Sequence, residues 1–298
     1  MEGDVPMPGA SHAVALERVP QTTVDPICQI EENLVEALAA WGRLPRAEAH
    51  REIDRLEYIT HAPYPLFNGV ARARLPAEDL DGRIDAVLAP FRQHRLPMMW
   101  WVGPHSEPVH LGESLEAHGL IHAGADVGMA MELPRLPEGL ALPEGLTIEA
   151  VCDRDGLRLW TETMAAGYGL RRATRAVVRR LWLAAEQDEA HVHYLGRLDG
   201  RPVATAQLFV GAGVAGVYWV STLPEARRRG IGTAMTLAAL QDARRMQLDV
   251  AVLHATPVGV SIYQRIGFRE CCRIDHYVWP GQRLYLAAVK AAVLLHLR

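Results

Sequence analysis

The chain has 298 residues, and its hydrophobic share of 49% and charged share of 22% are those of a globular protein that can bury a full core. This length exceeds one average domain, so it predicts two domains of about 150 residues each. The formal net charge of −4 at pH 7 argues against a nucleic-acid-binding protein, which normally carries an excess of basic residues.

The first half of the chain alternates between helical and strand patterns. Residues 1–22 have the composition of a loose leader. After them, apolar residues at helical spacing, beginning with Ile27 and Ile30, predict a helix over residues 27–41. Further helices are predicted over 46–56, 80–94 and 111–118, and strands over 57–59, 66–73, 98–102 and 125–133.

A segment rich in proline and glycine follows. Residues 134–145 contain three prolines and two glycines, which is the composition of a linker. We therefore predict a first domain over residues 23–133 and a second over 146–298. In the second domain, strands are predicted over 146–151, 191–197, 202–210, 214–222 and 250–255, and helices over 155–166, 173–185, 258–266, a stretch ending near 246, and the C-terminal run 284–297.

Three landmarks recur in the two halves at a constant spacing of 148 positions. Agreement between two units that also share a similar order of elements predicts a duplicated domain. The landmark pairs are Leu75-Pro76 with Leu223-Pro224, Gly82 with Gly230, and Gly119 with Gly267.

The most informative stretch is the turn over residues 227–233, Arg-Arg-Arg-Gly-Ile-Gly-Thr, between a predicted strand and a predicted helix. Such a turn presents backbone N–H groups at a helix N-terminus, where the helix dipole also favours an anion. Gly230 and Gly232 lack a Cβ, so a phosphate oxygen can approach the main chain closely. Alone, the motif is equally typical of a solvated helix start. In the first half, Asp79 and Asp81 replace the arginines, and their charge would repel a phosphate.

A second block, Ser261-Ile-Tyr-Gln-Arg-Ile-Gly-Phe268, lies downstream of this turn. Together, the strand, the arginine and glycine turn, the helix, the next strand and this block resemble the GNAT superfamily of N-acetyltransferases. The resemblance is close over residues 214–268 and looser over 146–280. It implies an α+β fold of two tandem GNAT-like domains, each a mixed, mostly antiparallel twisted sheet flanked by helices, with a degenerate N-terminal copy.

The resemblance implies a role for each matching position. Backbone groups at the end of the fourth strand would pair with the pantetheine arm of acetyl-CoA, and one N–H would polarise the thioester carbonyl. Tyr263 matches the tyrosine that protonates the departing CoA thiolate in many members, a task that suits a phenol. The alternative is a tyrosine that simply packs against Phe268. The positions implied to bind acetyl-CoA are Val220, Ser221, Thr222, Arg227, Arg228, Arg229, Gly230, Ile231, Gly232 and Thr233.

The general base stays open at this point. Residues 214–222 contain no Glu or Asp, although some family members carry an acid there. His254 has a suitable intrinsic pKa of about 6.5, but a lone histidine on a strand is also typical of a satisfied core residue. Tyr218 and a water chain to bulk solvent are the other candidates.

Further residues have both a functional and a structural interpretation. His191 and His193 would share one face of a strand, and an exposed face is the simpler interpretation because no third metal ligand lies nearby in sequence. Trp160, Glu162 and Tyr168 match the region that usually lines the acceptor pocket of GNAT enzymes, although Trp160 is also typical of a core.

The cysteines and terminal segments bear on the compartment. The four cysteines lack the spacing of a zinc site and are expected to be free thiols in a reducing cytoplasm. The leader has no apolar signal-peptide core, and the run 284–297 is shorter than a membrane span of about 20 residues. We expect a cytoplasmic protein with no metal, membrane or nucleic-acid partner, in which the C-terminal run packs on its own domain or on a second subunit of a homodimer.

The resemblance implies an acetyl-CoA-dependent N-acetyltransferase, with acetyl-CoA as co-substrate. The acetyl group would pass to a primary amine of a small molecule or peptide by direct attack in a ternary complex. The alternative is a non-catalytic acyl-CoA-binding sensor or interaction module, suggested by the missing strand acid and the degenerate copy. The presence of Tyr263 favours the enzyme, since binding alone requires no phenol.

Overall fold

The structure, a computed structural model, describes residues 25–137, 142–185 and 190–281. The predicted leader over residues 1–22 and the predicted C-terminal helix over 284–297 lie outside them. The described residues form an α+β fold around an eleven-stranded sheet, so the predicted fold class is confirmed. No helix in these ranges is long and apolar enough to cross a membrane. The four cysteines are free thiols.

Most helices and strands lie close to their predicted positions. The helices are α1 (Pro26–Ala39), α2 (Leu80–Gln93), α3 (Leu111–Ala117), α4 (Arg154–Gly167), α5 (Arg172–Ala184), α6 (Ile231–Arg245) and α7 (Val260–Ile266). The strands are β1 (Glu48–Arg51), β2 (Leu56–Ile59), β3 (Asn68–Ala71), β4 (Met98–Val102), β5 (Ile121–Glu132), β6 (Leu146–Ala150), β7 (His191–Leu198), β8 (Arg201–Gly211), β9 (Val214–Thr222), β10 (Val250–Ala255) and β11 (Arg269–Trp279).

The helix predicted over residues 46–56 is wrong. This segment contains the edge strand β1, which pairs antiparallel with β2. All four residues of β1 are exposed, so no buried apolar residue marks the period of two that would have identified a strand. Pairing with the next strand along the chain, β2, overrides the local helical preference here.

The sheet has the order β1-β2-β3-β4-β11-β5-β10-β9-β8-β7-β6. Its parallel pairs are β3 with β4 and β9 with β10, and the other neighbours are antiparallel. The final strand of each half crosses to the other half, because β5 pairs with β10 and β11 pairs with β4. Each half therefore completes the sheet of the other, and the centre of the sheet contains both.

The topology repeats in the two halves, which we call the first copy (25–133) and the second copy (146–281). In each copy a helix, α2 or α6, connects the two parallel strands, and a short helix, α3 or α7, precedes the exchanged strand. Gly119 and Gly267 follow these short helices with positive φ angles of 89° and 119°. The predicted match of Gly82 with Gly230 is wrong, because the residue that caps α2 is Asp79. The helix begins four positions after Pro76 in the first copy but seven positions after Pro224 in the second, so the constant spacing fails at the helix start.

Two helical layers cover the sheet. On one face, α6 packs over the strands of the second copy, and α2 and α3 pack over those of the first. On the other face, α1, α4 and α5 share one apolar cluster that includes residues of both copies. Helix α1 of the first copy reaches across to the second, where Asn33 Nδ2 donates to the carbonyl oxygen of Gly211 at 2.9 Å. This second face carries the candidate site.

Candidate active site

A cavity of about 1040 Å³ is lined by residues of both copies. Its walls include α1 and the end of β4 from the first copy, and α4, α5 and β9 from the second. Its lining also includes the N-terminus of α6 and Tyr263 on α7. A single space therefore connects the predicted phosphate-binding turn with the face of the sheet that α1 covers.

Strands β9 and β10 separate where they reach this cavity. Their parallel pairing ends at Val217 and Leu253, although both strands continue beyond these residues. Trp219 has a positive φ of 52°, and the register of β8 with β9 shifts between Thr205 and Gln207, which marks a β-bulge. Because β10 has turned away, one backbone edge of the last residues of β9 faces the cavity and is available to a ligand.

The N-terminus of α6 has the geometry of an anion site. Its cap, Gly230, has a φ of 75°, and no side chain caps the helix. The first intrahelical bond runs from Ala234 N to Gly230 O, so the amides of the three preceding residues have no acceptor within the helix. A Cβ at Gly232 would meet no atom nearer than Thr222 Oγ1, at 3.8 Å. The residues present therefore fit a diphosphate, which would occupy this open space.

The three predicted arginines differ in their placement. Arg227 donates from Nε to the carbonyl oxygen of Thr222 at 3.1 Å and from Nη2 to that of Gly167 at 2.9 Å. It therefore holds the turn against β9 and α4. Arg228 is exposed, lines the cavity and has a left-handed backbone with a φ of 62°. Arg229 is exposed and does not line the cavity.

The predicted residues at the end of β9 line the cavity next to this turn. Some of their polar atoms already have hydrogen-bond partners within the protein. Val220 O accepts a hydrogen bond from Tyr168 Oη at 3.2 Å, and Ser221 Oγ lies 2.8 Å from Thr205 Oγ1. The carbonyl of Thr222 accepts from Arg227. These contacts fix the strand end beside the N-terminus of α6, so one extended ligand can contact both.

Tyr263 lies on α7 and lines the same cavity. Its ring contacts Phe268 edge-on with the centroids 6.0 Å apart, so the packing contact that we considered exists beside the cavity contact. Burial, with a smaller contribution from the charge of Asp126, raises the pKa of Tyr263 to about 12. The phenol is therefore protonated at neutral pH, as a hydrogen-bond donor must be.

His254 lies on β10 just past the point of separation. Burial lowers the pKa of His254 to about 4, against a smaller opposing effect of Asp126. Its Nε2 atom is buried and has no hydrogen-bond partner among the described residues. The ring is therefore neutral at pH 7 and a weak base. Tyr218, the other side chain considered, already donates its hydroxyl hydrogen to Asn33 Oδ1 at 2.7 Å.

Asp126 is a cavity residue that the sequence did not reveal. Among the described residues that line the cavity, it is the only one with a carboxylate. It lies on β5 of the first copy, which reaches the second copy only through the strand exchange. Its Oδ2 atom is 3.7 Å from His276 Nε2 on β11. The available sequence signal was weak: Asp126 is an acid between Gly124 and Gly128 in a mostly apolar strand.

Of the three residues predicted to line the acceptor pocket, one lines the cavity and two do not. Tyr168 lines the cavity, whereas Trp160 is fully buried and donates from Nε1 to the carbonyl of Ala206 at 3.1 Å. Glu162 lies on the exposed side of α4, where it pairs with Arg179 at 2.9 Å.

The interpretation of His191 and His193 as an exposed strand face is wrong for His193. Helices α4 and α5 cover this face of the sheet, so His193 is buried, and burial lowers its pKa to about 3. His193 Nε2 lies 3.0 Å from Gln207 Nε2, and both histidines line the cavity. In the described part of the chain, no third side chain completes a metal-binding cluster with them.

At the corresponding helix start in the first copy, the N-terminus of α2, the side chain of Asp79 fills the space where an anion would bind. Asp79 is the N-cap residue of α2 with a φ of 59°, and its carboxylate makes no capping hydrogen bond but lies beside Gly82 in the first turn. A Cβ at Gly82 would lie only 2.5 Å from Asp79 Oδ1. A negative side chain therefore occupies the place that an anion would take, in agreement with the charges expected from sequence.

Comparison with known proteins agrees with this geometry. Residues 144–256 match the family model for the acetyltransferase (GNAT) domain. The mycothiol acetyltransferase of Saccharomonospora viridis is 26% identical over 210 residues, which cover 65% of this chain and 68% of that protein.

Two solved structures share the fold. A GCN5-related N-acetyltransferase from Kribbella flavida superposes with a TM-score of 0.66 and 20% identity, covering 86% of this chain and 97% of its own. A tandem GNAT protein from the clavulanic acid biosynthesis pathway superposes with a TM-score of 0.54 and 13% identity, covering 86% of this chain and 95% of its own. At these identities the two structures show the tandem fold alone.

Proposed function

We propose that this chain, which belongs to the GNAT superfamily of acetyltransferases, transfers the acetyl group of acetyl-CoA to a primary amine within a ternary complex. The observation that carries the proposal is the continuity of one cavity. It extends from the uncapped N-terminus of α6, past the separated ends of β9 and β10, to a chamber under α1. Both substrates can therefore be bound at once.

The second copy supplies the acetyl-CoA site. The amides of Ile231, Gly232 and Thr233 hold the diphosphate, assisted by the positive end of the α6 dipole. Arg228 adds a positive charge at the cavity edge, and the free backbone edge of β9 binds the pantetheine arm. Bound there, acetyl-CoA supplies an acyl carbon that is activated as a thioester.

The acetyl group can pass directly from sulfur to nitrogen, without a covalent intermediate on the enzyme. The amine nitrogen forms a bond to the acyl carbon, and the bond from that carbon to sulfur breaks. The nitrogen of the incoming ammonium group loses two protons in total. Tyr263 passes one to the departing sulfur and regains one from the nitrogen, while the other proton leaves to solvent. A backbone N–H at the end of β9 donates to the acyl oxygen as negative charge develops on it.

Calorimetry with acetyl-CoA and detection of free CoA thiol with a panel of primary amines test this proposal. Gly232→Val places a branched side chain in the open space at the α6 N-terminus, where its Cβ would meet no protein atom nearer than Thr222 Oγ1 at 3.8 Å. We expect this variant to fold normally and to bind acetyl-CoA at least about a hundredfold more weakly. The matched control is Arg83→Glu, which alters an exposed residue in the first turn of α2 and should leave binding unchanged. Normal affinity in Gly232→Val would exclude the assigned site.

A further inference from the structure

We propose that the acceptor is an apolar primary amine, with its ammonium group at Asp126 and its hydrocarbon portion against an aromatic wall built by both copies. This inference rests on the proposed function, because it names the acceptor for the same transfer. It assigns the first copy a direct part in the reaction, namely the supply of the carboxylate and of half of the wall.

The carboxylate lies in a row of side chains that crosses the centre of the sheet. From the first copy toward the second, the row runs through Trp101 on β4, His276 on β11, Asp126 on β5, His254 on β10 and Tyr218 on β9. The ring of Trp101 lies 4.6 Å from that of His276, and the rings of His254 and Tyr218 lie 5.9 Å apart. All five residues line the cavity, and Asp126 occupies the middle of the row.

The position of Asp126 suits the reacting nitrogen. Asp126, Tyr263 and His254 line the same cavity, and the charge of Asp126 raises the pKa of both other groups. Residue 126 also lies just beyond Val127 and Ala255, the last pair of the β5–β10 ladder, and β10 has left β9 two residues earlier, after Leu253. An ammonium group held there is beside the opening through which the thioester would reach the chamber.

The aromatic wall is continuous between the copies. Its ring centroids are 5.9 Å apart for Tyr64 and Phe67, 4.8 Å for Phe67 and Trp41, and 5.0 Å for Trp41 and Trp182. The wall continues from Trp182 to Trp219 at 5.6 Å, and from Trp219 to Tyr168 at 6.0 Å. Tyr168 is the residue whose hydroxyl contacts Val220 at the end of β9. An apolar chain lying along this wall can therefore extend from the thioester site into the first copy.

Burial of the acceptor favours the proton transfer that the reaction needs. In an apolar space, a carboxylate and an ammonium group are less well solvated than in water. Passing one proton from nitrogen to Asp126 replaces two buried charges by two neutral groups. The neutral amine then attacks the acyl carbon, and Asp126 returns to its charged form by releasing the proton to solvent. A polar acceptor would instead leave its hydroxyl or amide groups without partners along the wall.

One buried donor on the wall is consistent with a ligand in the chamber. Trp182 is buried and lines the cavity, and its Nε1 has no hydrogen-bond partner among the described residues. An unpaired buried donor is costly, so a bound acceptor with one oxygen or π face at this point would improve the site.

The test separates acceptor binding from acetyl transfer. Calorimetry with N,N-dimethyl-2-phenylethylamine, with and without CoA, measures binding of an apolar ammonium ion that cannot form a stable amide. 2-Phenylethanol is the uncharged comparison. We expect Asp126→Asn to weaken binding of the ammonium probe about tenfold to a hundredfold and to leave the alcohol and acetyl-CoA unaffected. The control Asp275→Asn changes an acid on β11 that does not line the cavity, and should leave all three affinities unchanged.

The acceptor class is tested in turnover by comparing 2-phenylethylamine and hexylamine with glucosamine and glycinamide. We expect kcat/KM to be at least about a hundredfold higher for the two apolar amines than for the two polar ones. Preference for the polar pair, failure of the ammonium probe to bind with or without CoA, or unchanged probe affinity in Asp126→Asn would each overturn it. If acetyl-CoA does not bind, or no amine releases thiol, the proposed function fails, while the calorimetry with the ammonium probe still decides the inference.

Discussion

The carboxylate of Asp126 lies 3.7 Å from Nε2 of His276, and the two residues belong to β5 and β11, the strands that the copies exchange. Each residue comes from a different copy, and both line the same cavity. The chemistry of the site therefore depends on the exchange as well as on the motifs of the second copy. This dependence explains why a copy whose own anion site is closed by Asp79 is still integral to the site.

Tyr263→Phe tests the proposed proton donor. Removing the hydroxyl should lower kcat about a hundredfold, because the departing sulfur loses its proton source. The affinity for acetyl-CoA should not change, since the diphosphate and pantetheine contacts come from α6 and β9. Tyr277→Phe is the control, because this tyrosine lies on β11 and does not line the cavity. Equal kcat in wild type and Tyr263→Phe would assign Tyr263 to packing against Phe268 alone.

Substitutions of the neighbouring residues Arg227 and Arg228 should affect different properties, namely stability and acetyl-CoA binding. Arg228→Glu places a negative charge at the cavity edge and should weaken acetyl-CoA binding about tenfold or more without changing stability. Arg227→Ala removes two hydrogen bonds to backbone carbonyls and should lower the free energy of unfolding by about 1 kcal/mol. Calorimetry and denaturant unfolding measure the two quantities. Loss of stability in Arg228→Glu with unchanged affinity would reverse these assignments.

Two buried histidines should make stability depend on acidity. The pKa is lowered to about 4 for His254 and to about 3 for His193, chiefly by burial. Below about pH 6.5 the unfolded chain binds protons that the folded chain does not. The free energy of unfolding should therefore fall as the pH is lowered from 6.5 toward 4, and its full value should be present above 6.5.

Denaturant unfolding at several pH values measures this slope in the wild type and in His193→Gln. The variant should have a shallower slope because it removes one of the two groups. His50→Gln, at an exposed position on the edge strand β1, should retain the wild-type slope. Identical slopes in all three proteins would show that burial of His193 does not govern the acid sensitivity.

The elements of the second copy were predictable because local chemistry specifies them. The strand at 214–222, the glycine turn and the block ending at Phe268 lie close together in the chain, and each has its own pattern. The duplication was predictable from its landmarks, except at the start of α2, which lies closer to the Leu-Pro landmark than the start of α6 does. Patterns of this kind depend on neighbours within a few residues.

Pairing between distant strands was not predictable in the same way. Nothing local in β5 specifies that it pairs with β10, about 120 residues later. From the sequence, Asp126 therefore lay in an ordinary strand of the first copy, and the predicted site in the second copy had no acid that could act as a base. The burial of His193 was missed for a related reason, because the helices that cover it are specified elsewhere in the chain.

The strand exchange predicts that neither copy is a stable unit on its own. A fragment ending at residue 137 leaves β5 without β10 and β11, and a fragment beginning at residue 142 leaves β11 without β4 and β5. Each fragment would therefore expose unpaired backbone at the centre of the sheet. Expressed together, the two fragments should copurify and unfold in a single cooperative transition, as measured by denaturant titration followed by circular dichroism. Expressed alone, each should aggregate or lack a cooperative transition. A second-copy fragment that unfolded cooperatively by itself and bound the ammonium probe would contradict both the exchanged architecture and the role of Asp126.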